Sequence, residues 1–343
     1  MTSLGCGAWA SGPSRLSGSA NGWAPSLLRR VRDRVGGSFL PVLLLLGGAA
    51  PMSVAKEAKA ESPPAERPLR YTNTVGVQLN PRLGGDEFRI RYRRRLYEGG
   101  DSLLGRQNFA GAFGGVAIGA GALRPVIGFE LQPLSVLSLG VAYNPVYYLD
   151  TFGVAQSYPS PGAHYGSSAL GAPNDGPGGS YALFVHQLTL NASLQAKLGA
   201  LFVRSAVRAT HVHAELHGGD RVLYDPTSDV VVYRRGWVLQ NDSDLGVFLS
   251  PKLLIGARHT LVATWYPRGA FGPGEPRDAH DSPTSRVGPL GSYTFFEGRG
   301  GVLDTASVSL VLQWYLAHRF RTGESSPAAV PLAGLAFSFS GDL

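Results

Sequence analysis

Two stretches place charged or metal-binding side chains at regular intervals. The first is EFRIRYRRRLY, residues 87–97. In an extended backbone successive side chains point to opposite faces. That gathers Arg89, Arg91, Arg93 and Arg95 on one side and Phe88, Ile90, Tyr92 and Leu96 on the other. Arg94 interrupts the apolar face, where a long side chain near a membrane interface can snorkel to water. Guanidiniums spaced roughly 7 Å apart along one strand need either carboxylates or water. Facing a water-filled lumen they make a positive wall that favours anions. Paired with Glu87, Glu130 or Asp304 they are structural struts instead. The second stretch is THVHAELH, residues 210–217. His211, His213, Glu215 and His217 share one face, and adjacent pairs at that spacing suit a divalent transition metal. The same parity continues from Leu201, Val203, Val207 and Ala209, which turns the histidines outward near a loop. Solvated polar residues are therefore the competing expectation, and no metal is assigned.

Catalytic chemistry finds no comparable footing. No G-x-S-x-G element is present; Gly166-Ser167-Ser168 near His164 lacks the surroundings of a triad. No Gly-rich loop joins a strand to a helix, so nucleotide binding has no basis. Cys6 is the sole cysteine, which excludes intrachain disulfides and thiolate metal clusters. No cofactor is expected.

The elements that must position these groups are strands. From Ser180 to Leu216 the sequence alternates with period two, a β pattern. Ala182, Phe184, Leu188, Leu190, Ala192, Leu194, Ala196 and Leu198 share one face, interrupted only by His186; Gln187, Thr189, Asn191, Ser193, Gln195 and Lys197 share the other. A turn at Leu198–Ala200 leads into a second long strand. Strands this long, apolar on one side and amide- or hydroxyl-rich on the other, suit a wall between lipid and water. Gln187, Thr189, Asn191 and Gln195 are lumen-lining candidates beside the four arginines.

Similar strands are expected at Tyr71–Asn80, Glu87–Tyr97, Gly111–Gly121, Pro125–Leu131, Ser135–Leu149, Gly236–Pro251, Ala257–Arg268, Tyr293–Glu297, Thr305–Arg319 and Leu332–Gly341. In Thr305–Arg319, Val308, Leu310, Leu312, Trp314 and Leu316 oppose Ser307, Ser309, Gln313 and Tyr315. Short connections are expected at Leu198–Ala200, Gln132–Leu134 and Leu253–Gly256. Long ones fall at Asp150–Gly179, His217–Arg235 and Gly269–Leu290. Tyr143, Tyr147, Tyr148, Trp265, Tyr266, Trp314 and Tyr315 near strand ends read as interfacial girdles. The fold class expected is all-β: a transmembrane antiparallel up-and-down β-barrel of about twelve strands, with ten as the alternative, spanning residues 70–343. A soluble β-sandwich is disfavoured because its inner faces would be too polar.

The N-terminal region reads as an export leader. Arg29, Arg30, Arg32 and Arg34 precede the apolar run Phe39–Leu46, followed by small residues and a small-x-small site at Ser53-Val54-Ala55. That run is too short for a spanning helix, which needs about 20 residues. Residues 1–55 are thus expected to be a leader and cleaved signal, with 56–69 a charged, Pro-containing linker. Translation starting near Val31 would give the usual basic-then-apolar order. The formal net charge of +7 comes mainly from arginines scattered over strands, a distribution that does not point to nucleic acid.

The last strand adds a resemblance. Gly334, Phe337 and Phe339 stand at the spacing Gly-x-x-aromatic-x-aromatic, which resembles the C-terminal signal of bacterial outer-membrane β-barrel proteins. Leu332 departs from that signal, and so does the continuation Ser340-Gly341-Asp342-Leu343. The resemblance implies an outer-membrane location, recognition by the barrel-assembly machinery through Gly334, Phe337 and Phe339, and contact with outer-membrane lipids. Function is then expected to be a passive pore or narrow channel for small solutes, with an anion preference from the arginine strand. A closed barrel acting through its long loops in a structural, adhesive or ligand-binding role is the alternative. An outer-membrane lipid-modifying hydrolase is the second.

Overall fold

A computed structural model describes residues 68–343 apart from 99–103, 106, 120, 151–152, 167–179, 279–281, 299–300 and 325. The expected leader, cleavage site and all but the end of the linker lie outside these residues. The period-two segments form β1 (Leu69–Leu79), β2 (Leu83–Arg95), β3 (Phe109–Gly119), β4 (Ala122–Leu134) and β5 (Leu137–Leu149). After a two-residue β6 (Ser157–Tyr158) come β7 (Ala182–Leu198) and β8 (Leu201–Ala214). A hairpin, β9 (Val222–Asp225) and β10 (Val230–Tyr233), precedes β11 (Arg235–Ser250) and β12 (Leu253–Thr264). The chain ends with β13 (Thr284–Phe296), β14 (Thr305–Ala317) and β15 (Leu332–Asp342).

Twelve of these strands close into an antiparallel up-and-down barrel, and β10, β9 and β6 form a separate three-stranded sheet. Closure is made by β1 against β15, with Arg70 opposite Asp342 and Leu79 opposite Ala333. The twelve-strand expectation therefore holds and the ten-strand alternative does not. Boundaries differ, most at Tyr293–Glu297, which is the end of the full strand β13. Gly288 and Pro289 within β13 hid the rest, because both residues are poor strand formers. The short connections sit at 135–136 and 251–252 rather than at Gln132–Leu134 and Leu253–Gly256. In each case apolar strand residues run right up to the turn.

Alternation sorts the wall as expected. Phe129, Ile127, Leu198, Leu316 and Ile118 point outward and are more than half exposed. So large an apolar belt on one surface belongs against lipid. Tyr143, Tyr147 and Trp314 lie on that outer face. Tyr148, Tyr266 and Tyr315 do not. The first and last are buried on the inner side, and Tyr266 lies past the end of β12, bonding to Thr264 and to the Val231 carbonyl. Proximity to a strand end suggested a girdle; parity and loop packing decided otherwise. Trp265 likewise follows the last residue of β12.

The two rims differ. The start of β1, the end of β15 and the turns at 135–136, 199–200 and 251–252 share one rim with the 96–108 and 297–304 connections. The opposite rim carries the long connections 150–181, 215–234, 265–283 and 318–331 together with the short ones at 80–82 and 120–121.

Close strand approach depends on glycine at a few inner positions. At Gly115 a Cβ would press on the Phe88 carbonyl and sit 3.0 Å from the Arg89 Cγ. Gly115→Val is expected to destabilise the barrel by about 1–3 kcal/mol, the usual cost of overpacking. The check is the temperature at which the refolded barrel loses its fast, heat-modifiable migration on a gel. An unchanged temperature would mean that β3 can shift away freely.

Candidate functional site: an arginine-lined lumen under a folded-in hairpin

Strand parity aims Arg89, Arg91 and Arg93 into the lumen from β2. The facing strand β3 makes room for them. Its inner face alternates glycine with aromatic residues: Phe109, Gly111, Phe113 and Gly115 lie opposite Arg95, Arg93, Arg91 and Arg89. A Cβ at Gly111 would approach the Tyr92 carbonyl to 2.6 Å and the Arg93 Cγ to 3.2 Å. The guanidiniums settle over rings instead: Arg93 lies 4.2 Å from the Phe109 centroid and Arg89 lies 5.2 Å from that of Phe113. Such cation–π contacts hold the side chains down along the wall.

The four arginines of the sequence reading are not equivalent. Arg93 Nε donates to Glu130 at 2.8 Å. Arg89 lies 2.5 Å from Glu87, which also faces Arg124 at 3.6 Å. The Arg89 Nε nonetheless lacks an aligned hydrogen bond, so that pair is held by charge more than by directed bonding. Arg95, the last residue of β2, is exposed. Arg91 has no ion pair among the described residues, and its Nε is buried without a hydrogen-bond partner. Asp304 pairs with Arg70 at 2.6 Å, not with the arginine strand.

Across the lumen, Gln187, Thr189, Asn191 and Gln195 all lie on the inner parity of β7. Thr189 is buried, 3.2 Å from the Thr210 hydroxyl. Charged residues that the sequence reading did not select complete this wall. Arg258 makes a bidentate pair with Asp244 at 2.7 and 2.9 Å, and Arg204 approaches the same carboxylate to 3.8 Å. Thr260 and Gln240 donate to Asp242 at 2.6 and 3.0 Å. Arg286 donates to Gln313 at 3.2 Å. Arg208 is the exception. It has no ion pair among the described residues, yet it interacts electrostatically with Asp242 on its own wall and with Arg124, Asp225 and Arg89. It shares the inner parity of Thr210 and Val212 on β8 and is exposed towards the lumen.

The long loops are not structureless. Residues 222–233 fold inward as the β9–β10 hairpin, and β6 from the 150–181 connection adds to its edge. One hairpin face, Leu223, Val230 and Val232, packs on the inner wall residues Val146, Val185, Val212, Val238 and Val262. The other, Val222, Tyr224 and Val231, is covered by Tyr158, Tyr165 and Phe320.

The hairpin turn is locked to the far side of the mouth. Asp229, with φ +56° and 1% exposure, is its central acceptor. Tyr224 and Tyr315 hydroxyls donate to it at 2.7 and 2.8 Å, and Arg321 donates twice at 3.0 Å. The Phe320 amide donates to Nδ1 of His318, which leaves the proton on Nε2; that Nε2 donates to the Asp229 carbonyl at 2.8 Å. Burial alone would raise the Asp229 pKa, but the hydrogen bonds from His318 and Arg321 outweigh it and hold the carboxyl well below the usual range. Burial disfavours the Arg321 charge, yet the bonded carboxylate keeps its pKa above the ordinary value. Nothing in strand patterning flagged this cluster. The usable signal was local: VLY and VVVY flank Asp-Pro-Thr-Ser-Asp, the signature of a hairpin.

Below the turn remains a cavity of about 490 Å³. It runs between Asp225, Pro226 and Thr227 of the hairpin and a wall of small residues that includes Gly76, Gly85 and Gly119. Burial raises the pKa of Asp225, against the pull of its hydrogen bonds from Ser228 and Thr227 and of Arg124 and Arg208.

The other candidates are dispersed. His211 and His213 point outward from β8, while Glu215 and His217 lie beyond its end. His217 stacks on Tyr181 at 4.1 Å. Among the described residues no group of three metal-ligating side chains occurs. His164 lies 3.8 Å from Glu324; Ser167 and Ser168 are outside the described residues.

No protein-family model matches the chain, and no curated protein does. Among solved structures it is similar to the NanC porin, with TM-score 0.37 and 9% identity over 80% of this chain and 100% of that one. It is similar to the KdgM porin at TM-score 0.35 and 10% identity, covering 80% and 99%. The translocator domain of the autotransporter NalP from Neisseria meningitidis gives TM-score 0.32 and 10% identity, covering 82% and 90%. With values this low the barrel rests on its own strand pairing, and its function on the chemistry of its lumen.

Proposed function

We propose that this chain is a narrow outer-membrane channel for small solutes that favours anions, with the long-loop rim outside the cell and the hairpin narrowing its mouth. The observation that carries the reading is the pair Arg91 and Arg208. Among the described residues both face the lumen without a carboxylate in ion-pair contact, while most of the neighbouring guanidiniums are paired or bonded. Carboxylates act on these two charges only at a distance, Glu130 and Glu87 on Arg91 and Asp242 and Asp225 on Arg208, which favours a positive potential along the lumen wall. The outer apolar belt, the even strand number and the start of β1 and end of β15 at the short-turn rim suit an outer-membrane barrel. On this reading residues 1–55 serve export, and Gly334, Phe337 and Phe339 engage the assembly machinery. The reading is of a transport protein, not an enzyme.

A second reading has its own support. The hairpin is packed on both faces and bonded at its turn, which favours a closed barrel acting through its loops. Planar-bilayer recording of the refolded chain under a salt gradient separates the two. Small discrete steps with an anion-favouring reversal potential are expected for the channel. Insertion without any conductance would overturn it in favour of the closed barrel.

A further inference from the structure

The outer surface near the long-loop rim carries a line of nitrogen donors that neither the lumen nor the hairpin uses. His186 on β7 lies directly opposite His213 on β8, and His213 lies directly opposite Arg235 on β11. All three point outward, because their inner-facing neighbours Val185, Val212 and Gly236 are buried. The His186 and His213 rings are 5.9 Å apart. The Tyr143 hydroxyl sits 2.6 Å from Nδ1 of His186. When the phenol donates there, Nε2 of His186 carries the proton and presents an outward N–H. Among the described residues neither His213 nor Arg235 has a hydrogen-bond acceptor or an ion pair, and Arg235 is exposed at the very start of its strand.

The surroundings fix the depth. Phe184 packs edge-on against His186 with centroids 4.6 Å apart, and Tyr147 lies 4.6 Å from Phe184. One row inward, His211 lies 5.1 Å from Trp237. Tyr, Trp and Phe at one strand end mark the level where headgroups meet acyl chains. A bare guanidinium and two imidazoles in that layer face lipid phosphates as a matter of position.

We infer that His186, His213 and Arg235 form a docking site for the phosphate of an outer-leaflet glycolipid, seated on the barrel wall between Phe184 on the rim side and Tyr143 and Trp237 one row inward. Neighbouring strands are about 4.8 Å apart, so donors on three consecutive strands can share the oxygens of one phosphate group. Arg235 supplies the full positive charge and the histidines supply directed N–H bonds, the charge-assisted kind that phosphate accepts best. The lipid's chains would lie along Leu188, Leu190 and Leu194 below, which are exposed on the same face. The inference rests on the outward orientation of the long-loop rim, not on whether the lumen conducts.

The test is native mass spectrometry of the full refolded chain with diphosphoryl lipid A, its phosphate-free counterpart and inorganic phosphate. The wild type should retain the diphosphoryl lipid. The triple variant H186A/H213A/R235Q should retain about tenfold less, the loss of roughly one charge-assisted bond. Arg235→Gln alone, at an exposed strand end, should show a smaller loss in the same direction and covers the case of a misfolded triple variant. Equal retention by the folded variants would overturn the site. So would equal retention of the phosphate-free lipid, which would mean apolar contact alone. Displacement of the lipid by inorganic phosphate at equal concentration would overturn the lipid assignment, because the chains would then add nothing.

Discussion

Asp229→Asn should open the mouth. Asparagine tolerates the left-handed backbone at this position almost as well as aspartate, so the substitution removes the charge and keeps the turn. Arg321, 3% exposed, is then left without its carboxylate in a buried setting. Breaking a buried pair in this way typically costs about 3–5 kcal/mol, enough to change the fraction of undocked hairpin by at least a hundredfold. Burial of Val230, Val231 and Val232 remains and limits the release. The expected result is a several-fold rise in single-channel conductance, with faster hydrogen exchange confined to residues 222–233. Unchanged conductance together with unchanged exchange would show that apolar packing alone holds the hairpin. The pH dependence follows from the same group. The native carboxyl pKa is depressed, so its stabilisation is complete above the ordinary carboxylate value of about 3.9. It is lost only as pH falls through the still lower native value. The wild-type latch therefore stays closed across the neutral and mildly acidic range.

Selectivity should depend on two arginines that are far apart in sequence. Arg91→Gln and Arg208→Gln together are expected to lower the anion-to-cation permeability ratio about five- to tenfold. That corresponds to roughly 1 kcal/mol of interaction with a passing ion through partly aqueous surroundings. Arg95→Gln should change little, because Arg95 is exposed at the end of β2. Arg93→Gln removes a charge but frees Glu130, so its effect should exceed that of Arg95→Gln. The reversal potential under a salt gradient measures all of these. Equal shifts from Arg95 and from the Arg91/Arg208 pair would show that the long-range field of the whole barrel sets selectivity, not the lumen wall.

The barrel was legible because one physical rule governs each strand. Lipid on one side and water on the other force alternation, and it is clearest in the middle of β7, where Leu188, Leu190, Ala192 and Leu194 oppose Gln187, Thr189, Asn191 and Ser193. It places Arg89, Arg91, Arg93 and the β7 amides on the inner face without any further information. It says nothing about which charges cancel. Arg91 and Arg93 look alike in sequence, and only the register of β3 against β4, which sets Gly111 opposite Glu130, brings that carboxylate into contact with Arg93 and leaves it at longer range from Arg91. The hairpin was missed for a related reason. Residues 217–235 read as a polar connection, whereas four valines and a leucine among them fill the mouth of the barrel. The acceptor at its turn takes bonds from residues 86 and 92 positions later, a distance that no local pattern spans.

That separation has a consequence for assembly. Tyr315, His318 and Arg321 stand at the end of β14 and just beyond it, late in the chain. The hairpin is made early, between β8 and β11, but its anchor exists only when the penultimate strand is in place. Tyr315 also reaches the Asn80 carbonyl beside the first strand, so the anchor is framed by both ends of the sheet. A partially zipped sheet has nowhere to fasten its hairpin. The docked hairpin is therefore a record that the sheet has been laid down through β14, and a sheet that stops short of that strand would carry a loose one.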